Sequence, residues 1–124
     1  MNTPQLEPLT TPSFGCTPTL ARQKLAMEFT GSGDMHAMTP LSDYLKRVHE
    51  LATSQGLLEV ACDFRKLTFM NSSCFKAFVV WIDSVKNLAA PYKIRFQTDP
   101  NIHWQRRSLE ALRRLAVQVV TVEG

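Results

Sequence analysis

Along most of this chain, apolar positions alternate with polar ones, then recur every three or four residues, then alternate again. In Lys24 to Thr30, Leu25, Met27 and Phe29 alternate with Ala26, Glu28 and Thr30, the period of a half-buried strand. Gly31-Ser32-Gly33-Asp34 predicts its end. Thr39-Pro40 then reads as the start of a helix, with Thr39 as N-cap and Pro40 at the first helical position. Leu41, Tyr44, Leu45, Val48, Leu51 and Ala52 form its apolar face, and Gly56 is placed to cap its end. Leu57 to Phe64 is nearly continuous in apolar residues, which predicts a central strand covered on both faces.

A second helix is predicted from Ser73 to Ala89, with Phe75, Phe78, Val79, Ile82, Val85 and Ala89 inward and Pro91 as its stop. Tyr92, Ile94 and Phe96 alternate again as a strand. Asp99-Pro100 then opens a third helix with Leu109, Leu112, Leu115 and Ala116 inward, and Val117 to Val122 closes the chain as a strand. Ser13 to Leu20 is a further short strand interrupted by Pro18. Residues 1–12, rich in proline and threonine, read as a flexible arm, leaving 13–124 as one domain. The order β(β)αβαβαβ predicts an α/β fold, a mixed sheet whose parallel pairs are joined by right-handed crossovers. In such sheets, sites form where strands end and helices begin.

Composition narrows this picture without redirecting it. The 124 residues suffice for one core and not for two, and 44% hydrophobic with 20% charged residues is ordinary for a globular domain. A net charge of +3 is too mild to indicate nucleic-acid binding by itself. No apolar run is long enough to cross a bilayer, and the first residues lack a basic-then-apolar leader pattern, so no membrane partner is expected. Cys16, Cys62 and Cys74 are odd in number and have no CxxC spacing, which predicts reduced thiols and a cytoplasmic setting. No cofactor motif and no metal-ligand spacing is present; Gly31-Ser32-Gly33 lacks the Gly-Lys-Ser/Thr of a phosphate-binding loop.

The candidate chemistry lies in the turn Asn71-Ser72-Ser73 between the central strand and the second helix. One reading makes Ser72 the cap of that helix, its oxygen accepting a backbone N–H. The other makes it a modification site, where a phosphate would meet unpaired amides and the positive end of the helix dipole. Asp34 and Asp63 are expected at the same end of the sheet, either bonding nearby amides or framing the turn for a partner. Cys74, beside a helix start, is either an inert packed thiol or a nucleophile lacking an evident base. His103-Trp104-Gln105-Arg106-Arg107 with Arg113-Arg114 is a basic, aromatic patch, read as a solvated helix face, a protein-binding face or a nucleic-acid grip; nucleic acid is not favoured, because no recognition motif accompanies it.

Asp63, then Phe69-Met70, then Asn71-Ser72-Ser73-Cys74, resembles the centre of STAS domains, the family of anti-sigma-factor antagonists and sulfate-transporter tails. There a strand ending in aspartate leads through Phe-Met to Asp-Ser-Ser-Gly and a helix. Gly31-Ser32-Gly33-Asp34 is similar to the family's Gly-x-Leu-Asp turn. The resemblance covers nearly all of the chain after Lys24 and implies a STAS-like mixed sheet with helices packed on it. It also implies a non-enzymatic, bacterial regulatory module whose partner is a kinase-type anti-sigma factor or a related signalling protein. It implies phosphorylation at Ser72, with Ser73 as the second choice, and release of the partner by that modification. Asp34, Asp63, Asn71, Ser72, Ser73, Cys74 and Lys76 are the partner-binding residues it suggests. Asn71 in place of Asp, and Cys74 in place of Gly, are departures from the motif. A docking domain that is never phosphorylated is the alternative, and an edge strand could pair with a second copy of the chain.

Overall fold

The computed structural model describes residues 6–124; the first five residues of the expected arm lie outside the described residues. The elements are β1 (Leu9–Thr10), β2 (Phe14–Ala21), β3 (Lys24–Gly33), α1 (Met38–Gln55), β4 (Glu59–Met70), α2 (Ser72–Lys86), β5 (Lys93–Gln97), α3 (His103–Leu115) and β6 (Val120–Glu123). They build one mixed sheet in the order β1-β2-β3-β4-β5-β6, antiparallel as far as β3 and parallel from β3 onward. The mixed α/β architecture expected from periodicity is therefore present, with one strand more than expected.

That extra strand comes from the segment read as an arm. Leu9 and Thr10 pair with Cys16 and Gly15, the Tyr44 hydroxyl donates to the Glu7 carbonyl at 2.6 Å, and Leu6 and Leu9 pack against the core. From Leu6 onward the segment is tied to the domain. Pro18 is accommodated because β1 spans only two residues, so β2 has an open edge beyond Cys16, where a strand lacking one donor loses nothing.

Each crossover from β3 to β6 advances by one strand in the same direction, so right-handed connections place all three helices on one face. Burial follows: Leu25, Met27, Phe29, Val60, Cys62, Phe64, Ile94 and Phe96 are at most 1% exposed, while their alternating neighbours are half-buried or exposed. The prediction that the central strand is covered on both faces is thus wrong. Glu59, Ala61 and Asp63 line an open face, where Glu59 pairs with Lys24 at 3.1 Å and Arg95 at 3.2 Å. Under the helices, Phe29, Phe64, Phe78 and Phe96 meet edge to face with centroids 5.2–6.1 Å apart, the geometry aromatic quadrupoles favour.

The element ends depart most from the sequence reading. The strand expected to stop at Phe64 runs on to Met70, and β3 continues through Gly33 beside it. Two register shifts accommodate this, where Phe64-Arg65 lies opposite Phe29 alone and Thr68 is extra between Leu67 and Phe69. Gly31 has φ +85°, and a Cβ there would stand 2.2 Å from the Ser13 carbonyl oxygen, so only glycine fits. Helix α1 begins after Ala37, and Thr39 is not its cap; Pro40 is the third helical residue, where its missing N–H has no acceptor to lose. Gly56, at φ +63°, ends it as predicted. Asp99-Pro100 does not open α3 but forms a turn before it, with Asp99 Oδ1 accepting from the Asn101 amide at 2.9 Å. Leu115 is 43% exposed rather than inward, and Ala89 lies beyond the end of α2.

Candidate functional site

The parallel strands β3 and β4 end side by side at Gly33 and Met70, and the chain enters α2 within one residue. The Asn71 amide donates to the Gly33 carbonyl at 2.8 Å, which fixes the turn to the end of β3. Asn71 has extended backbone (φ −76°, ψ 172°), and its side-chain oxygen accepts from the Cys74 amide at 2.9 Å. Asn71 is therefore the N-cap, and the reading in which Ser72 caps α2 is corrected. Ser72 and Ser73 are the first two helical residues. Both are exposed, and neither hydroxyl has a hydrogen-bond partner among the described residues. Their own amides lie in the first turn, where no intrahelical acceptor exists. Lys76 is exposed one turn further along α2, at i+4 from Ser72 and so on the same side of the helix.

Cys74 is fully buried, and its thiol donates to the Asp34 carbonyl at 3.4 Å. A Cβ added at Gly33 would lie 3.5 Å from its sulfur, so the Cys74 side chain fills the space over Gly33 instead of projecting outward. Burial, with the charge of Asp34, pushes the thiol up to about 11. It stays protonated at neutral pH and is the inert, packed cysteine of the two alternatives.

Asp34 joins this end of the sheet. Its carboxylate accepts from the Ser13 hydroxyl at 2.7 Å and from the His36 amide at 3.0 Å, and the Ser13 bond above all holds it below the ordinary carboxylate range. Asp63 does not join it. It lies seven residues before the end of β4, on the order of 20 Å away along the strand. There it clamps the first bulge, accepting from the Arg65 amide at 3.0 Å and pairing with the Arg65 guanidinium at 2.8 Å, which lowers its pKa. The structure thus brings together Asp34, Asn71, Ser72, Ser73, Cys74 and Lys76, and leaves Asp63 apart.

Sequence reasoning missed the apolar rim of this end. Phe69, next to last in β4, is 50% exposed, Met35, just after β3, 73%, and Met38, which opens α1, 37%. The Phe69-Met70 pair was legible as part of a motif; Met35 had no signal beyond its place after Asp34. Gln105 was also missed. It is fully buried, and its amide donates to the Phe64 and Leu67 carbonyls at 2.5 and 2.8 Å while its oxygen accepts from the Asp99 amide at 3.0 Å. The signal was its spacing: 105, 109 and 112 form one stripe of α3 with Leu109 and Leu112. Trp104 beside it donates to the Thr68 carbonyl at 2.8 Å. The basic, aromatic patch therefore divides into two packed residues, Trp104 and Gln105, and separate arginines, of which Arg113 pairs with Glu110.

Among the described residues, no three His, Cys, Asp or Glu side chains are grouped to hold a metal. A groove of about 380 Å³ crosses the open sheet face above Ala26 and Ala61, but Lys24 and Arg95 on its rim are already paired with Glu59.

No protein-family model matches this chain, and no curated protein matches it by sequence. Solved structures do. An anti-sigma factor antagonist from Mycobacterium paratuberculosis superposes with a TM-score of 0.67 over 93% of this chain and 90% of that one, at 13% identity. The fold is the STAS fold. The anti-sigma factor antagonist SpoIIAA in its unphosphorylated form gives a TM-score of 0.58 at 14% identity, covering 86% of each chain. The Bacillus cell fate determinant SpoIIAA in its phosphorylated form gives 0.56 at 16% identity, covering 86% of this chain and 89% of that one. At these identities the likeness is one of architecture, and no helix among the described residues is long and apolar enough to cross a membrane.

Proposed function

We propose that this chain is a bacterial regulatory protein-binding module that offers the Ser72 end of its sheet to a kinase-type anti-sigma factor, and that phosphorylation of Ser72 releases the partner. The observation that carries the reading is the division of labour in the turn. Asn71 caps α2, so the Ser72 hydroxyl is exposed, without a partner, at the first helical position. Met35 and Phe69 supply exposed apolar area at the same end for a partner to cover.

A phosphate on Ser72 would add about −1.5 to −2 charges beside free first-turn amides, the helix dipole and Lys76, all of which accommodate an anion without unfolding the domain. The same charge near the exposed Phe69 and Met35 would oppose a partner that buries them. Binding rather than catalysis suits the site, since the one thiol there stays protonated and its polar neighbour is a backbone carbonyl. The three free, buried cysteines suit a cytoplasmic setting.

The test pairs two variants with phosphosite mapping. Ser72→Glu is expected to fold normally and weaken partner binding, while Ser72→Ala keeps it, each measured by calorimetry against the partner co-purified from growing cells. Phosphate on Ser72 whose occupancy differs between growing and starved cells would support the switch. Equal affinity in both variants, with Ser72 unmodified in every state, would leave a constitutive docking domain.

A further inference from the structure

The end of the sheet opposite the Ser72 turn has a different chemistry. Four connections meet there: the β2–β3 hairpin and the links α1–β4, α2–β5 and α3–β6. They and the two residues on either side of each contribute Arg22, Lys24, Lys86, Lys93 and Arg114, and the connections themselves contain no Asp or Glu. Glu59, which opens β4, is already neutralised by Lys24 and Arg95. The connections at the Ser72 end are the reverse, with Asp34 and Asp99 and no Lys or Arg.

Among these cations stand three exposed aliphatic side chains, Leu58 (62%), Val117 (59%) and Leu115 (43%). Hydrogen bonds make the surface continuous. The Leu58 amide donates to the Gln23 carbonyl at 2.7 Å and the Lys93 amide to the Leu58 carbonyl at 2.9 Å. The Lys93 ammonium reaches the Gln118 carbonyl at 2.6 Å, and the Lys86 ammonium the Leu115 carbonyl at 3.4 Å. Lys86 and Arg114 also complement helix C-termini, a structural role. Arg22 and Lys93 stand outside any helix. Arg22 is the one non-glycine residue with positive φ (55°) among the described residues, so the hairpin tip holds an arginine where glycine or asparagine fits with less strain.

We propose that this end is a peripheral docking surface for an anionic phospholipid bilayer. Aliphatic side chains ringed by cations suit the headgroup boundary, where the chains enter the acyl region and the cations sit among phosphates. A nucleic-acid surface would offer aromatic platforms for bases, but Trp81, Tyr92 and Phe96, the aromatic residues flanking Lys86 and Lys93 in sequence, are buried. Peripheral docking needs no spanning segment. It leaves the Ser72 end facing away from the bilayer and is independent of what Ser72 binds.

The experiment is co-sedimentation of the full chain with phosphatidylcholine vesicles, with and without phosphatidylglycerol, at physiological ionic strength. Binding is expected only with phosphatidylglycerol. The double variant Arg22→Gly/Arg114→Gln should lower the partition constant about tenfold or more. Val117→Ser should lower it severalfold at unchanged charge. The charge-matched control Arg106→Gln/Arg107→Gln, on the first half of α3, should stay within about twofold of the parent, and Arg22→Gly relieves rather than adds backbone strain. Absence of phosphatidylglycerol-dependent binding would overturn the proposal. So would equal losses in the two double variants, which would reveal only net charge. Competition by heparin together with an unaffected Val117→Ser would assign the surface to a soluble polyanion instead.

Discussion

The β4–α2 and β5–α3 turns follow neighbouring parallel strands, and each carries an Asn or Asp just before a helix. At the second turn the acid and the glutamine are used within the fold: Asp99 bonds the Asn101 amide, and Gln105 reaches back to the Asp99 amide and across to two carbonyls of β4. At the first, Asn71 and Cys74 do the inward work, and Ser72 and Ser73 are left facing solvent. Similar residue types thus serve cohesion in one turn and presentation in the other. The difference lies in which residue holds the extended backbone of the cap. Where Asn71 takes that place, the next hydroxyl is free.

The largest expected effect breaks the inward turn. Gln105→Ala would leave the Phe64 and Leu67 carbonyls buried beside the β4 bulge without their donor, and would open a void under α3. A loss of about 2–4 kcal/mol is expected, read as a lower urea midpoint at unchanged m-value. Gln105→Glu should be at least as harmful, since a carboxylate would face two carbonyl oxygens. A loss below about 0.5 kcal/mol for Gln105→Ala would mean that the two turns do not differ in kind.

The next effect separates neighbours within one turn. Asn71→Ala removes the cap and should cost about 1 kcal/mol, whereas Ser72→Ala should stay within about 0.5 kcal/mol because its hydroxyl bonds nothing. Asn71→Asp should keep the cap and gain slightly from the helix dipole. The opposite ranking of the two alanine variants by thermal denaturation would return the cap to Ser72 and remove the reason to treat its hydroxyl as available.

Which parts of this were legible in the sequence follows from the physics of each feature. Period-two and helical spacing fix burial, so Leu25-Met27-Phe29 and the α1 stripe were readable without a structure. Helix ends were harder, because Asn71-Ser72-Ser73 offers three competent caps and Thr39 and Asp99 match start signals that Ala37 and Ile102 do not. Ala61 and Cys62 read as apolar whichever face they take, and this hid the open side of the sheet. The extension of β4 to Met70 depends on bulges opposite Phe29 and Ser32, which no local pattern announces. Gln105 was hidden in a run of arginines, although its spacing from Leu109 placed it on the buried stripe.

The smallest expected effect concerns two acids, Asp99 within the second turn and Asp34 on the β3–α1 link beside the first. Asp99 is satisfied within its own turn, by the amide two residues on. Asp34 is held by a side chain from another strand, Ser13 of the segment leading into β2. Because the folded Asp34 pKa is depressed, its stabilising contribution is fully present above the unfolded value of about 3.9 and is lost as pH falls through the folded value. The residue is only half-buried and its carboxylate is solvent-screened, so the change in stability should be slight. Ser13→Ala should nevertheless raise the Asp34 pKa in a carboxyl-detected NMR titration. The parent and the variant should differ in stability near neutral pH and converge once both carboxyls are protonated. An Asp34 titration that ignores Ser13 would show that this acid is held locally, like Asp99, and that the β1–β2 segment does not brace the Ser72 end through it.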